Sequence, residues 1–325
     1  MEELCVAQLK FGMVSIGTAR IQNSMEVGFI GTGLMGLPMA QRVAQAGFPL
    51  IVYNRTVEKL EPLKAVKVAI AATPDAVIYA SCCVVLMLTN AAAIQDVILS
   101  KTAQRALAGK TILQMGTIAP SESRAIHQAV VAAGGSYVEA PVLGSIPEAK
   151  RGTLQVMVGG TAEQFDQLLP LLKCFGPEPQ LIGSVGSAAA VKLALNQLIG
   201  TLTTGFAASL GFVQRHHVSV DVFMHLLRKS ALYAPTFDKK LQRMVDRNYA
   251  NPNFPTRHLL KDMSLFLSEA EKLRLKSDVV TAVKTILEQT EIEGWADADY
   301  SALFSTVTPP ETDTQDDWPH LLKRP

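Results

Sequence analysis

The sequence predicts a doubly wound α/β domain followed by an all-helical domain, and three observations carry that prediction. From Met25 onward, short apolar runs alternate with longer segments of helical period. Gly31, Gly33 and Gly36 stand in G-x-G-x-x-G spacing at the end of the first run. Past Gly186 the alternation stops, and a proline-free segment that is apolar nearly all round begins.

The runs "VGFIG", "LIVYN", "CCVVLMLT", "TILQM" and "SYVEAP" are too uniformly apolar for strands with one wet face, so they fit a parallel sheet covered by helices on both sides. The first run leads into "TGLMG", with a strand before the glycines and a helix after them. Gly31 allows a sharp turn, Gly33 a close backbone approach and Gly36 tight helix packing, so that a helix N-terminus meets a pyrophosphate. This makes the first domain Rossmann-type. Thr73 before Pro74 marks a helix start, and Thr161 with Gln164 forms a capping-box pair. "LQVMVGG" and "QLIG" add strands near the sheet edge. Residues 187–215 read as one long buried helix. The segments "VDVFMHLLRKS", "FDKKLQRMV" and "HLLKDMSLFLSEAEKLRL" keep helical period with no strand signal. The expected organisation is an extension of weak order over 1–24, a dinucleotide domain over 25–187, a helical domain over 188–300 and a mobile tail over 301–325, where proline and acid dominate.

A chain of 325 residues that is 48% hydrophobic is long enough for two well-buried domains. Its net charge of +1 supplies no bulk attraction for nucleic acid or an anionic membrane, so neither is expected as a partner. The N-terminus lacks a cationic start before a long apolar block, which argues against a cleaved signal peptide. Cys5, Cys82, Cys83 and Cys174 have no metal-ligand spacing and read as buried thiols in a reducing compartment, the cytoplasm. His216 and His217 are adjacent on a helix, so their rings diverge and cannot easily share a metal; with His127 they read as solvated. The apolar helical domain favours a homo-oligomer.

The chemistry-bearing residues come next. Where an acid would bind an adenosine ribose 2′-hydroxyl, at the end of the second strand, stand Asn54, Arg55 and Thr56. The arginine can neutralise a 2′-phosphate, so NADP(H) is the expected cofactor. Reducing a carbonyl creates an alkoxide that needs a proton or a positive donor at oxygen. Lys192, one turn into the long helix, is suited to supply it, and Asn196 follows at i+4 on the same face.

The blocks "GFIGTGLMGLPMA", "NRT", "EAPVLGSIPEAKRGTLQVMVGG", "GSVGSAAAVKLALNQ" and "FPTRHLLKDMSLFLSEA" resemble the β-hydroxyacid dehydrogenases related to 3-hydroxyisobutyrate dehydrogenase, in their glyoxylate/succinic semialdehyde reductase branch. The resemblance implies that Lys192 is catalytic and Asn196 its support. It implies a backbone anchor for a substrate carboxylate at Gly144 and Ser145 beside Leu143, pocket roles for Phe254 and Asp262, a nicotinamide and substrate contact at Thr117, and a cofactor contact at Lys261. Leu34 and Met35 of the turn, and Leu88, join the expected cofactor shell. The active site is then the cleft between the domains.

Three positions depart from the family pattern. Leu143 and Gly116 stand where it usually has serine, and Leu195 where it has a second asparagine. The expected activity is NADPH-dependent reduction of a small aldehyde or oxo acid. The alternatives are an imine reductase, favoured by a more apolar pocket, and a non-catalytic dinucleotide-binding interaction module on the same scaffold. Retention of Lys192 argues against both.

Overall fold

A computed structural model describes residues 25–65 and 68–310. The first domain runs β1 (Val27–Ile30), α1 (Gly36–Gln45), β2 (Leu50–Tyr53), α2 (Glu61–Lys64), β3 (Ala69–Ile70), α3 (Pro74–Tyr79), β4 (Cys83–Leu86), α4 (Ala91–Ile98), α5 (Lys101–Ala106), β5 (Thr111–Gln114), α6 (Pro120–Ala132) and β6 (Ser136–Glu139). These strands lie parallel in the order β3-β2-β1-β4-β5-β6. That is the doubly wound order whose reversal between β1 and β4 opens a crevice at the carboxyl ends of the strands. β1 and β4 are buried along their whole length, because apolar side chains pack on both faces: Phe29, Met39 and Leu113 on one, Ile30, Ile94 and Ile112 on the other.

The sheet then changes direction. β7 (Val142–Leu143), α7 (Ile146–Arg151), β8 (Gln155–Gly159), α8 (Ala162–Leu172) and β9 (Gln180–Gly183) follow, with β8 antiparallel to both β6 and β7 and parallel to β9. The Thr73 and Thr161 hydroxyls cap α3 and α8 by accepting from Ala76 and Gln164 N–H. β3 and β7, two residues each, carry too few side chains to show a period in the sequence.

The helical domain comprises α9 (Ser187–Arg215), α10 (Val220–Lys229), α11 (Pro235–Val245), α12 (Thr256–Lys272), α13 (Asp278–Thr290) and α14 (Leu303–Val307). Its core gathers Phe206, Leu210, Met224, Phe237, Met263, Leu287, Leu303 and Phe304 around the middle of α9. No helix among the described residues is long and apolar enough to cross a membrane.

Three expectations need correction. The helical domain does not stop at 300: Ala302, Leu303 and Phe304 are buried, and Thr308 seats on Gly211, where any Cβ would lie 2.0 Å from the threonine Oγ1. Apolar residues before the proline- and acid-rich stretch anchor this segment. Cys82 is exposed while its neighbour Cys83 is buried, since successive residues entering a strand face opposite ways. His127 is half-buried beside Tyr137, with ring centroids 5.9 Å apart. The extension at 1–24, with Cys5, and the tail beyond 310 lie outside the described residues.

Candidate active site

The glycine turn leaves β1 at the crevice. Gly31 has φ of 99°, and a Cβ there would lie 2.3 Å from the Met87 carbonyl oxygen; one at Gly36 would lie 1.9 Å from that of Gly31. Both positions are filled by backbone. Gly33 differs, because nothing lies within 4 Å of where its Cβ would be. The turn therefore shows open space at the glycine where a pyrophosphate needs to approach, and these residues fit a dinucleotide. Leu34 is exposed and Met35 half-buried on the same turn.

Asn54, at the end of β2, ties the turn in place: its Oδ1 accepts from Thr32 N–H (2.9 Å) and its Nδ2 donates to the Thr56 carbonyl (2.8 Å). Arg55 and Thr56 are exposed, and Arg55 forms no hydrogen bond or ion pair with another described residue. On the far side of β1, Leu88 packs toward Gly31, and a Cβ at Gly116 would lie 2.4 Å from the Leu88 carbonyl oxygen. That contact accounts for glycine where the family pattern has serine.

Across the crevice, α9 and α12 pack side by side. Lys192 is buried on α9, with 8% of its surface exposed, and enters no hydrogen bond or ion pair among the described residues. Burial lowers its pKa to about 8; Asp262 opposes that shift and Lys261 reinforces it. Asn196, one turn on, donates from Nδ2 to Asp262 Oδ2 at 2.6 Å. Asp262 Oδ1 is 3.1 Å from Lys261 Nζ without hydrogen-bond alignment, and Asn196 Oδ1 is buried with no partner. Lys261 crosses to the other domain, donating to the carbonyls of Thr117 (2.6 Å) and Thr89 (3.0 Å). Thr117 and Leu88 are half-buried where β5 and β4 end. An ammonium with its proton affinity pulled toward neutrality can both hold a proton and release it.

Two supports were not singled out from the sequence. Glu139 ends β6 at 1% exposure; its Oε1 accepts from the N–H groups of Gly186 (2.8 Å), Ala188 (2.9 Å) and Ala189 (3.1 Å), and its Oε2 accepts from the Ser123 hydroxyl. A carboxylate thus holds the orphan donors and positive end of the helix that carries Lys192. An acid closing the apolar run "SYVE" was its signal. The other support is Lys240, whose Nζ donates to Asp299 Oδ1 (2.7 Å) and Oδ2 (2.9 Å) and sits 4.2 Å from the Tyr300 ring centroid. Asp299 also accepts from Asn253 N–H (3.2 Å), beside Phe254, which stacks on His258 and meets Tyr300 edge-on. Burial, helped by the charges of Lys261 and Arg257, holds His258 below its ordinary pKa.

In the loop after β7, Leu143 is half-buried, Gly144 is exposed with φ of 134°, and Ser145 N–H is engaged within the chain. Glu148 Oε2 takes that N–H at 2.9 Å and the Ser145 hydroxyl at 2.6 Å. The spacing S-x-x-E in "SIPE" is a capping-box signature, the signal by which the sequence could have shown it. Leu195 is half-buried on α9.

A doubly wound domain with an open glycine turn, facing a helix that bears a buried lysine, defines a nicotinamide-dependent oxidoreductase. The family model described as the NAD binding domain of 6-phosphogluconate dehydrogenase matches residues 26–186, and the one described as NAD-binding of NADP-dependent 3-hydroxyisobutyrate dehydrogenase matches residues 186–307. The chain belongs to the 3-hydroxyisobutyrate dehydrogenase family. It is 30% identical over 285 residues to glyoxylate/succinic semialdehyde reductase 1 of Arabidopsis thaliana, covering 87% of this chain and 98% of that one. It is 30% identical over 288 residues to 2-hydroxy-3-oxopropionate reductase of Escherichia coli, covering 87% and 97%. Among solved structures, 3-hydroxyisobutyrate dehydrogenase of Salmonella typhimurium superposes with a TM-score of 0.79 at 23% identity, covering 87% and 99%. An imine reductase of Myxococcus stipitatus in complex with NADP+ gives 0.59 at 19%, covering 87% and 99%.

Proposed function

We propose that this protein is an NADPH-dependent reductase of small aldehydes or oxo acids. The observation that carries the reading is Lys192, buried with a pKa drawn down to about 8 at the head of α9. When bound, the nicotinamide supplies the hydride. Lys192 polarises the carbonyl and gives its proton to the oxygen as negative charge develops there. Asn196 and Asp262 keep the counter-charge at a fixed place, and Lys261 joins the pocket to the ends of β4 and β5. Gly31, Gly33 and Gly36 would receive the pyrophosphate, and Arg55 a 2′-phosphate.

The test is NADPH absorbance loss against a panel of aldehydes, oxo acids and imines. Turnover of carbonyls that falls in a Lys192 variant supports the reading, while turnover of imines alone turns it to the second one. Leu143 and Leu195 favour that second reading, an imine reductase, because they remove polar side chains from the pocket expected by resemblance. No turnover at all, with NADPH bound, leaves an interaction module. In the same reading the enzyme is cytoplasmic, supported by the free thiols of Cys82, Cys83 and Cys174, and a homo-oligomer, supported by exposed Leu198, Leu202 and Phe212 along α9.

A further inference from the structure

The side of α12 that meets the first domain carries one group with nothing to bind. His258, Lys261, Asp262, Glu269 and Lys272 stand at i, i+3, i+4, i+11 and i+14, spacings that bring them to one side of a helix. Four of the five are engaged. Lys272 donates to the Ser121 hydroxyl (2.9 Å), which donates in turn to Glu269. Lys261 reaches the carbonyls of Thr117 and Thr89, and Asp262 accepts from Asn196 on α9. His258 is half-buried and has no hydrogen bond or ion pair with a described residue. It lies one turn beyond Lys261, about 4.5 Å further along the axis at 1.5 Å per residue. Its ring is parallel to that of Phe254, with 8° between the planes and centroids 6.5 Å apart, which leaves the nitrogens at its edge as the free groups.

The charges around this ring are Lys261 and Asp262 on the same side of α12, Arg257 beside it, and Asp297 in the segment after α13; the two cations outweigh the two acids. Together with burial they keep the imidazole neutral at neutral pH, and a neutral imidazole keeps one N–H donor. Excess positive charge there favours an anionic acceptor for that donor. Lys261 and Asp262 are also the two charges that Lys192 feels, so His258 and Lys192 flank the same pair.

We propose that His258 is a specificity residue of the Lys192 site: it donates a hydrogen bond to a carboxylate at the far end of a short carbonyl substrate whose carbonyl oxygen meets Lys192. The proposal rests on the reductase reading above. A substrate with an apolar far end gains nothing from this donor.

The test compares native protein, His258→Phe and His258→Gln on two aldehydes of matched shape: succinic semialdehyde, and the aldehyde in which an isopropyl group replaces its carboxylate. Phenylalanine keeps a ring against Phe254 and removes the donor; glutamine keeps a donor. His258→Phe should raise KM for the semialdehyde by about tenfold or more, with kcat and the isopropyl aldehyde changed by less than about threefold, and His258→Gln should lose less. Calorimetric titration of each enzyme–NADPH complex with the hydroxy acid that semialdehyde reduction yields should show the same order. In the native complex that hydroxy acid should raise the midpoint of the His258 imidazole titration, followed by NMR, by about 1 pH unit or more, since an adjacent carboxylate favours the protonated ring. A His258→Phe protein that loses both aldehydes alike, or keeps native selectivity and hydroxy-acid affinity, overturns the proposal. If that variant does not fold, the native midpoint decides, and a midpoint unmoved by the hydroxy acid overturns it. Failure of the reductase reading would show separately, as no NADPH oxidation with any carbonyl, and the titrations would still decide the role of His258.

Discussion

Asn196 Nδ2 lies 2.6 Å from Asp262 Oδ2, so the asparagine one turn beyond Lys192 is tied to the carboxylate that raises the lysine's proton affinity. The ammonium is the active form in reduction, so kcat/KM should fall as pH rises through a value near 8. Asp262→Asn removes an opposing charge and should move that limb to lower pH. Lys261→Met removes a like charge and should move it higher. Opposite displacements of the two profiles are the expected result; limbs that stay put in both variants would detach Lys192 from the titration.

Lys192→Met keeps most of the stem and removes the charge. Its kcat should fall roughly 10² to 10⁴-fold with NADPH affinity nearly unchanged, and Asn196→Ala should cost less. A variant that turns over at the native rate would remove the assignment.

The same substitution should stabilise the fold. The folded pKa, about 8, lies below the ordinary lysine value of 10.5. Between these values the unfolded chain binds the extra proton, so stability rises with pH across that window and the full penalty stands below it. At pH near 7 the methionine variant should gain up to about 3 kcal/mol in urea unfolding, and the gain should fade above pH 10.5. A gain that does not depend on pH would assign it to packing instead.

Arg55 is exposed at the end of β2 without a partner among the described residues. Arg55→Ala should weaken NADPH by about 10 to 100-fold, the worth of a charge-assisted bond, and leave NADH within about twofold. Equal affinities for the two cofactors in the native protein would contradict the NADP assignment.

The glycines of the turn should separate by experiment. Gly33→Ala meets open space, so melting should stay native while NADPH binding weakens. Gly36→Ala drives a Cβ to 1.9 Å from the Gly31 carbonyl oxygen and should lower stability itself. Identical melting curves for the two variants would count against this division of roles.

Much of this was legible in the sequence because its signals are local. The glycine spacing, the five apolar runs and the proline-free stretch over α9 each act within a few residues. The contacts that complete the site are not local. Glu139 meets α9 47 to 50 residues downstream, and Lys240 pairs with Asp299 59 residues away, so neither pairing leaves a spacing to read. Ser145 is different: its partner Glu148 is three residues on, in the same local capping-box pattern that marks Thr161 and Gln164.

Glu139 has a mechanical consequence. Its bonds fasten the first turn of α9 to the end of β6, so at this point the two domains have no slack. Lys192, Asn196, Asp262 and Lys261 ride together on two packed helices, whereas the carbonyls of Thr89 and Thr117 belong to the opposite leaf. The molecule is bound like a book, with Glu139 at the spine and Lys261 as the clasp. Any widening of the cleft would have to break the two bonds of Lys261 to Thr89 and Thr117, whereas the Asn196–Asp262 bond lies wholly within the helical domain and need not change.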